Sequence, residues 1–483
     1  MAQILFLMGL YGFGVFFGLL FKKQLPSAFL GITGYLWGAL IWVAGGVLLN
    51  VLTIPYSPVS ITILFFLLGI GIAFLHIRQK TWQLSRSELL WILSFAFAFL
   101  VILVLASQFN FSVASPDSAI MISAGRRVAH GSFSDEIIGE LSLRGVFLPQ
   151  LMSAAVFLGD GYLYAAQPAF AFTFFALYFY LSKRVLGHLV TEKRLALILS
   201  VLSSLVLFST YFIVFQFFYI HTNLISAAYL FLAVSAFWLA AVEGKDAWMT
   251  LGMLGLLGFS LARTEAPVFA LPFLVLVISS GKIPYRIRLR TMLPYSFSLV
   301  AWYLYLLARM GEGTYILNRE RTLVIIVSLI ALALLVILSE LKSIKRYLLP
   351  HLPKIMLGVL VLALLLMVIH KPEHYRISVY ALILNMLESG EWGMTWLVYW
   401  FLFVVSQAGP RFPQEDLFLY GVILFFALLL AIVYFRVPYR VGWGDSANRI
   451  WTHILPITIL YVLMKTTYGQ TANNSSEKGK ISN

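Results

Sequence analysis

"LLWILSFAFAFLVILVLAS" (residues 89–107) is followed seven residues later by "SPDSAIMISAGRRVAHGSF" (residues 115–133). The first stretch carries no charge and matches the ~20 apolar residues a helix needs to cross ~30 Å of hydrocarbon. The second is polar and amphipathic, with one acid, Asp117, and two adjacent arginines, Arg126 and Arg127. A chain that runs from one into the other leaves a bilayer and spreads along its surface.

The rest of the sequence repeats the first pattern. Of 483 residues, 61% are hydrophobic and 11% charged, with a mean hydropathy of +0.91; soluble domains carry about 25% charged residues. Apolar runs predict spans near 3–21, 28–50, 59–76, 89–107, 161–182, 195–214, 220–241, 248–262, 266–280, 291–309, 322–339, 355–370, 395–409, 416–435 and 450–467. The expected fold is therefore all-α: a polytopic integral membrane protein of about 13–15 transmembrane helices, since backbone polar groups in lipid must be satisfied internally. Residues 1–88 read as an N-terminal three-helix segment, 89–467 as the core with a long loop at 108–160, and 468–483 as a disordered cytoplasmic tail.

The net charge of +14 is a matter of topology. About 22 of the 34 basic residues and about 8 of the 20 acids fall in loops on one side of the predicted bundle, which the positive-inside rule makes cytoplasmic. Nucleic acid is not a predicted partner. The absence of cysteine excludes disulfides, thiolate nucleophiles and Cys-ligated metals. No HExxH, P-loop, GxGxxG after a strand, or GxSxG occurs.

Three polar segments fall on the outer face: 108–160, 371–393 and 436–449. In the first, Ser115, Pro116 and Gly131 predict the N-cap, first turn and end of a short helix lying in the interface. Residues 146–158, apolar but short and carrying Pro149, predict a second juxtamembrane or re-entrant helix. An acid such as Asp117 at the membrane boundary can act as a general base or hold a metal, or can simply favour the helix N-terminus it occupies. Arg126, Arg127 and Arg144 can bind phosphate or snorkel to headgroups; for the adjacent pair, snorkelling is favoured. Asp135, Glu136 and Glu140 read as a solvated acidic face. "SLARTEAPVFALP" sets Arg263 and Glu265 between two apolar runs, where ionisable residues tend to be paired and functional. His221 in "FFYIHTNLI" reads more as an interfacial anchor than as a ligand. Asp445, Asn448 and Arg449 in "GWGDSANRIWTHILP" suit either a lipid-linked phosphate or, equally, a helix start capped by Asp445 or Ser446 with Arg449 snorkelling, and His374 and Arg376 in "KPEHYRISVY" complete the set of candidates.

The order of these segments, "PDSAIMISAGRRVAHG", "RGVFLPQLMSAAVFLGDGYLY", "LSKRVLGH", "LLGFSLARTEAPVFALP" and "DSANRIWTHILP", resembles the glycosyltransferase C (GT-C) superfamily. The likeness is to bacterial relatives of dolichyl-phosphate-mannose protein mannosyltransferases and of the lipid A aminoarabinose transferase, over roughly residues 89–467. The resemblance implies a polyprenyl-phosphate sugar donor, a lipid, glycan or protein acceptor, and an active site facing the periplasm at the bacterial cytoplasmic membrane. It implies Asp117 as catalytic base, Arg449, Arg376 and Arg263 for the donor phosphate, and Glu265, His221, Arg144, Asp445 and His374 near acceptor or sugar. No cofactor is required, although a divalent Mg or Mn at Asp117 is compatible. Two features depart from the family pattern: Ser118 replaces the second carboxylate of the usual Asp-Glu pair, and about three further spans, in residues 1–88, come before the one that leads into the acid. The competing functions are a transporter or lipid flippase, with Arg263 and Glu265 lining its path, and an O-antigen ligase or polymerase acting on a diphosphate donor.

Overall fold

The computed structural model describes residues 1–481 apart from 82, 110–114, 131, 132, 134, 191 and 310–317. Its regular elements are all helical among the described residues. The first four, α1 (Ala2–Gly18), α2 (Ser27–Val51), α3 (Pro58–Gln79) and α4 (Arg86–Phe109), precede three short ones, α5 (Pro116–Ala129), α6 (Asp135–Arg144) and α7 (Phe147–Phe157). The chain continues through α8 (Ala166–Leu186), α9 (Lys193–Ser209), α10 (Tyr211–Gln216), α11 (Asn223–Glu243), α12 (Asp246–Ala262), α13 (Ala266–Ser279), α14 (Tyr285–Arg309) and α15 (Arg319–Leu338). A π-helical turn (Ile344–Leu348) and a 3₁₀ turn (Leu349–His351) then lead into α16 (Leu352–His370), α17 (Pro372–Leu384), α18 (Thr395–Ser406), α19 (Glu415–Val433) and α20 (Ser446–Ile481).

Among the described residues, eleven helical segments are long and apolar enough to cross a membrane, fewer than predicted. The shortfall lies in the runs at 195–214, 248–262, 266–280 and 395–409, which form α9, α12, α13 and α18, of 17, 17, 14 and 12 residues. Local breaks explain it. Thr210 is extended and ends α9, extended Arg263 and the Thr264–Glu265 turn separate α12 from α13, and Gly409-Pro410 follows α18, where proline prevents continuation. At the C-terminus α20 stays helical to Ile481, through the stretch predicted to be a disordered tail. Residues 1–88 share one hydrophobic core with the rest of the chain; Tyr229 on α11, for instance, donates to the Leu36 carbonyl at 2.6 Å.

The centre of the bundle is α11, apolar on all sides and buried from Asn223 to Ala240, as expected of a helix surrounded by others. It packs on α8, α12 and α20. Helix association in lipid depends on close van der Waals contact, and α12 achieves this with Gly252, Gly255 and Gly258 on one face. A Cβ on Gly252 would lie 2.4 Å from the Phe237 ring, and one on Gly258 2.6 Å from that of Tyr229. This contact brings the α12–α13 turn beside the start of α11.

Helix α5 has the predicted N-cap: the Ser115 hydroxyl accepts from the Ser118 amide at 3.1 Å. Its buried face shares only Val128 with the apolar side that the sequence pattern presents, Ala119, Ile120, Ile122, Ser123 and Val128. Ser118, Met121, Ala124, Gly125 and Val128 are covered, because α7 lies beneath α5, buried from Phe147 to Ala155. A Cβ on Gly125 would stand 2.7 Å from that of Met152. The two helices predicted to lie in the interface thus pack on each other.

Candidate functional site

Asp117 sits in the first turn of α5, where the helix dipole favours an anion. Two arginines from distant parts of the chain close on it. Arg144, the last residue of α6, reaches Oδ1 at 2.5 Å, and Arg449, in the first turn of α20, reaches Oδ2 at 2.5 Å. The Tyr219 hydroxyl donates to Oδ2 at 3.2 Å. Four elements therefore meet at one carboxylate.

Each of these residues is held from behind. Gly145, at φ +83°, turns the chain after Arg144 so tightly against the α12–α13 turn that a Cβ there would lie 2.4 Å from the Ala262 carbonyl oxygen. The next amide, of Val146, donates to Leu261 O at 3.0 Å. The start of α20 is fixed by Asp445, whose carboxylate accepts from the Arg440 and Ala447 amides at 3.0 and 2.8 Å. Asn448 adds a bond to the Gly442 carbonyl and accepts from the Trp392 indole. The link between α10 and α11 is tied to α5 by the Ser118 hydroxyl, which donates to Ile220 O at 3.2 Å.

His221 lies in that link, buried, its ring stacked on Tyr219 at 5.3 Å. Burial, with Arg449, Arg263 and Arg144 nearby, pushes its pKa well below the ordinary histidine value, so the ring is neutral at pH 7. Its Nε2 faces Arg449 Nη1 at 3.3 Å. An arginine can only donate, so Nε2 accepts and Nδ1 carries the hydrogen. That Nδ1 has no partner, and neither do Arg144 Nε, Arg449 Nε and Gln216 Nε2, all buried. Burial raises the Asp117 pKa, but the Arg449 and Arg144 guanidiniums outweigh burial and hold the carboxyl below its ordinary value. Among the described residues the cluster has one carboxylate and a surplus of donors.

A cavity of about 150 Å³ opens over this cluster, lined by Asp117, Tyr219, Arg449, Gln216, Trp443 and Phe212 among others. From Gln216 a polar chain runs inward. Asn223 donates to Gln216 Oε1 at 2.9 Å and accepts from Arg263 Nη1 at 3.0 Å, while Arg263 Nη2 pairs with Glu265 at 2.6 Å. Burial acts to raise the Glu265 pKa, and Arg263 and Arg436 more than offset it, leaving the carboxyl lowered.

The structure thus brings Asp117, Arg144, His221 and Arg449 together, with Arg263 and Glu265 one step behind. It assigns Asp445 to the helix start. Arg376 is left outside: it is 78% exposed, pairs with Glu373 three residues earlier, and neither it nor His374 lines the cavity. An i,i+3 pair on α17 absorbs the charge that the sequence suggested for phosphate. Arg126 and Arg127 also differ from expectation, since Arg127 pairs with Glu140 and Arg126 donates to Gly161 O at 3.1 Å. The Asp135 and Glu136 side chains lie outside the described residues. No three His, Asp or Glu groups converge among the described residues. At Asp117 the donor set does not suit a divalent cation, because both oxygens face guanidiniums.

Sequence reasoning missed Tyr219, Gln216, Asn223 and Trp443. A signal existed for the first, two residues before His221 in a segment opening a span. Gln216 and Asn223 were indistinguishable from ordinary helix-end polar residues. Fold and site together define a polytopic helical membrane protein with an arginine-clamped carboxylate at one end of its bundle. Comparison with protein-family models, curated proteins and solved structures finds no match.

Proposed function

We propose that this protein is a membrane glycosyltransferase of the GT-C type, which moves a sugar from a polyprenyl-phosphate donor to an acceptor hydroxyl. The observation that carries the reading is the Arg144–Asp117–Arg449 clamp with its unpartnered donors. Arg144 Nε, Arg449 Nε and His221 Nδ1 are buried, and all lack an acceptor. Leaving such groups unmade costs about 1–3 kcal/mol each. A phosphate supplies three or four oxygens where the site has one carboxylate, and arginine suits it by bidentate geometry.

Asp117 in the clamp is a weak base. A donor phosphate competes for the two guanidiniums, and as they turn to it the carboxylate loses the cations that depress its pKa. Asp117 then takes the proton of the acceptor hydroxyl, and the acceptor oxygen bonds to the anomeric carbon. The bond from that carbon to the phosphate oxygen breaks, and polyprenyl phosphate leaves with the electron pair and one more negative charge. Arg449 and Arg144 stabilise that charge as it develops, which is where preorganised cations contribute most. Arg263, itself paired with Glu265, holds Asn223 in place behind the cluster. The apolar, fully packed α11 at the centre of the bundle favours an enzyme at one end over a transport path through the middle.

The test is purified protein in lipid, supplied with radiolabelled polyprenyl-phosphate sugars and compared with Asp117→Asn. Consumption of at least one donor by the wild type, abolished in the variant, is the expected result. No consumption of any such donor, or equal turnover by the variant, sinks the mechanism.

A further inference from the structure

At the end of the bundle opposite Asp117, a cavity of about 470 Å³ lies beyond the end of α13, lined by Ser280, Tyr285, Arg288, Glu340, Lys345 and Leu349 among others. It exists because α13 has 14 residues, about 21 Å at 1.5 Å per residue, and stops well short of a ~30 Å hydrocarbon layer. Helices α15 and α16 each pack on α13, so the space below it is bordered by their ends. The π-helical and 3₁₀ turns between residues 344 and 351 form its far wall, and π-helical turns recur at functional sites.

The charge around this cavity is one-sided. Segment 279–290 holds Lys282, Arg286, Arg288 and Arg290 with no acid, and segment 340–354 holds Lys342, Lys345, Arg346 and Lys354 against Glu340 alone. Arg288 is 3% exposed. Its Nη1 donates to Ile278 O at 3.2 Å and its Nη2 to Glu340 Oε1 at 3.1 Å, but its Nε is buried without a partner. Lys345 takes the other oxygen of Glu340 at 3.0 Å, so the one acid present is already neutralised. Beside Glu340 in the chain, Ile337, Leu338 and Leu341 are 43%, 40% and 55% exposed.

We infer that this cavity is a binding site for the phosphodiester headgroup of an anionic glycerophospholipid, held by Arg288 and Lys345 with its acyl chains along the exposed faces of α15 and α16. A buried guanidinium with a free donor calls for an anionic oxygen, and the flanking apolar surface calls for an anion with chains. Basic pockets between membrane helices are suited to such headgroups. A zwitterionic lipid gains nothing here, because Glu340 is not free to meet its cation.

The experiment uses the delipidated full chain in detergent, with phosphatidylglycerol and phosphatidylcholine of matched chains supplied together and retained lipid read by native mass spectrometry. Preferential retention of phosphatidylglycerol is expected, weakened about tenfold in Arg288→Gln and about fivefold in Lys345→Gln, where one headgroup cation is removed. Lys345 is 59% exposed, so its variant keeps the test valid if Arg288→Gln does not fold. Arg449→Gln, at the other end, leaves retention unchanged. Equal retention of both lipids, or phosphatidylglycerol retention that survives Lys345→Gln at full strength, overturns the site. Loss in Arg449→Gln instead places the lipid at the Asp117 cluster and overturns the location. Displacement by millimolar inorganic phosphate makes it a site for free anions and overturns the lipid assignment.

Discussion

The two ends of the bundle treat buried charge in opposite ways. At the end away from Asp117, Glu415 on α19 accepts from Lys465 at 2.8 and 3.0 Å, from the Tyr461 hydroxyl at 3.0 Å and from the Phe412 amide at 3.2 Å. Glu243 there is met by Nε and Nη2 of Arg184, each at 2.7 Å, and by the Trp248 indole at 3.0 Å. Those carboxylates are saturated, and their pairs lock helices together. Around Asp117 the balance is reversed, with donors exceeding acceptors. A closed pair has nothing left to bind with, whereas an open cluster has its hydrogen-bonding capacity in reserve. Arg288, among the described residues the one buried cation at the far end with a free nitrogen on a large cavity, belongs with the open kind.

The largest effect expected at the open end is from Asp117→Asn, which keeps the shape but removes the proton acceptor. General-base catalysis contributes about 10²–10⁴-fold, and sugar transfer is expected to fall by about 10³-fold with thermal unfolding little changed. The matching experiment at the closed end is Glu415→Gln, which strands Lys465 in the interior. Removing one partner of a buried pair costs about 3–5 kcal/mol, so the unfolding temperature in detergent drops sharply; Glu415→Gln with Lys465→Met recovers much of it. A drop in transfer without a drop in stability at Glu415 would erase the distinction between the two ends.

The clamp itself is probed through pH. Asp117 must be ionised to act, so activity is lost as pH falls through its pKa, and the two guanidiniums place that value below the ordinary carboxylate. The acid limb of kcat/KM, which reports free enzyme, is expected below the ordinary aspartate range. Arg144→Gln moves it upward, and rates fall about 10²-fold as transition-state charge loses a donor. The acid limb of kcat lies higher than that of kcat/KM in the wild type if the bound phosphate draws the arginines away. Coincident limbs would show that the clamp stays closed on Asp117 throughout turnover. A smaller effect is expected from Gly145→Ala, which forces a Cβ onto the Ala262 carbonyl and displaces Arg144; about tenfold in kcat/KM follows from such misplacement, with a normal profile at alkaline pH.

How much of this was visible beforehand depended on whether a residue's role is local. Ser115 and Pro116 announced the start of α5 because capping is decided within four residues. The all-helical membrane class followed from apolar runs, and the four short helices were overcounted because length alone does not reveal a break at Thr210 or Arg263. Asp117, Arg449 and His221 stood out as polar residues at span ends. Their convergence did not, since Asp117 and Arg449 are 332 residues apart and meet only through the packing of α20 on α11. The residue pattern reads Arg144 as a sugar or phosphate contact; its position against Asp117 depends on the positive φ of Gly145, which no residue pattern displays.

Arg376→Gln tests that same limit from the other side. The sequence placed Arg376 beside Arg449 as a phosphate ligand, on the strength of a cation in the second polar segment. In the fold its guanidinium donates to Glu373 at 2.9 Å with both side chains largely exposed, and an exposed i,i+3 pair is worth about 0.3–0.5 kcal/mol. Less than a twofold change in donor KM or in stability is therefore expected. A rise in donor KM of tenfold or more would mean that α17 folds over the cavity once lipid-linked sugar is bound, and the open end would then include an element that rests outside it.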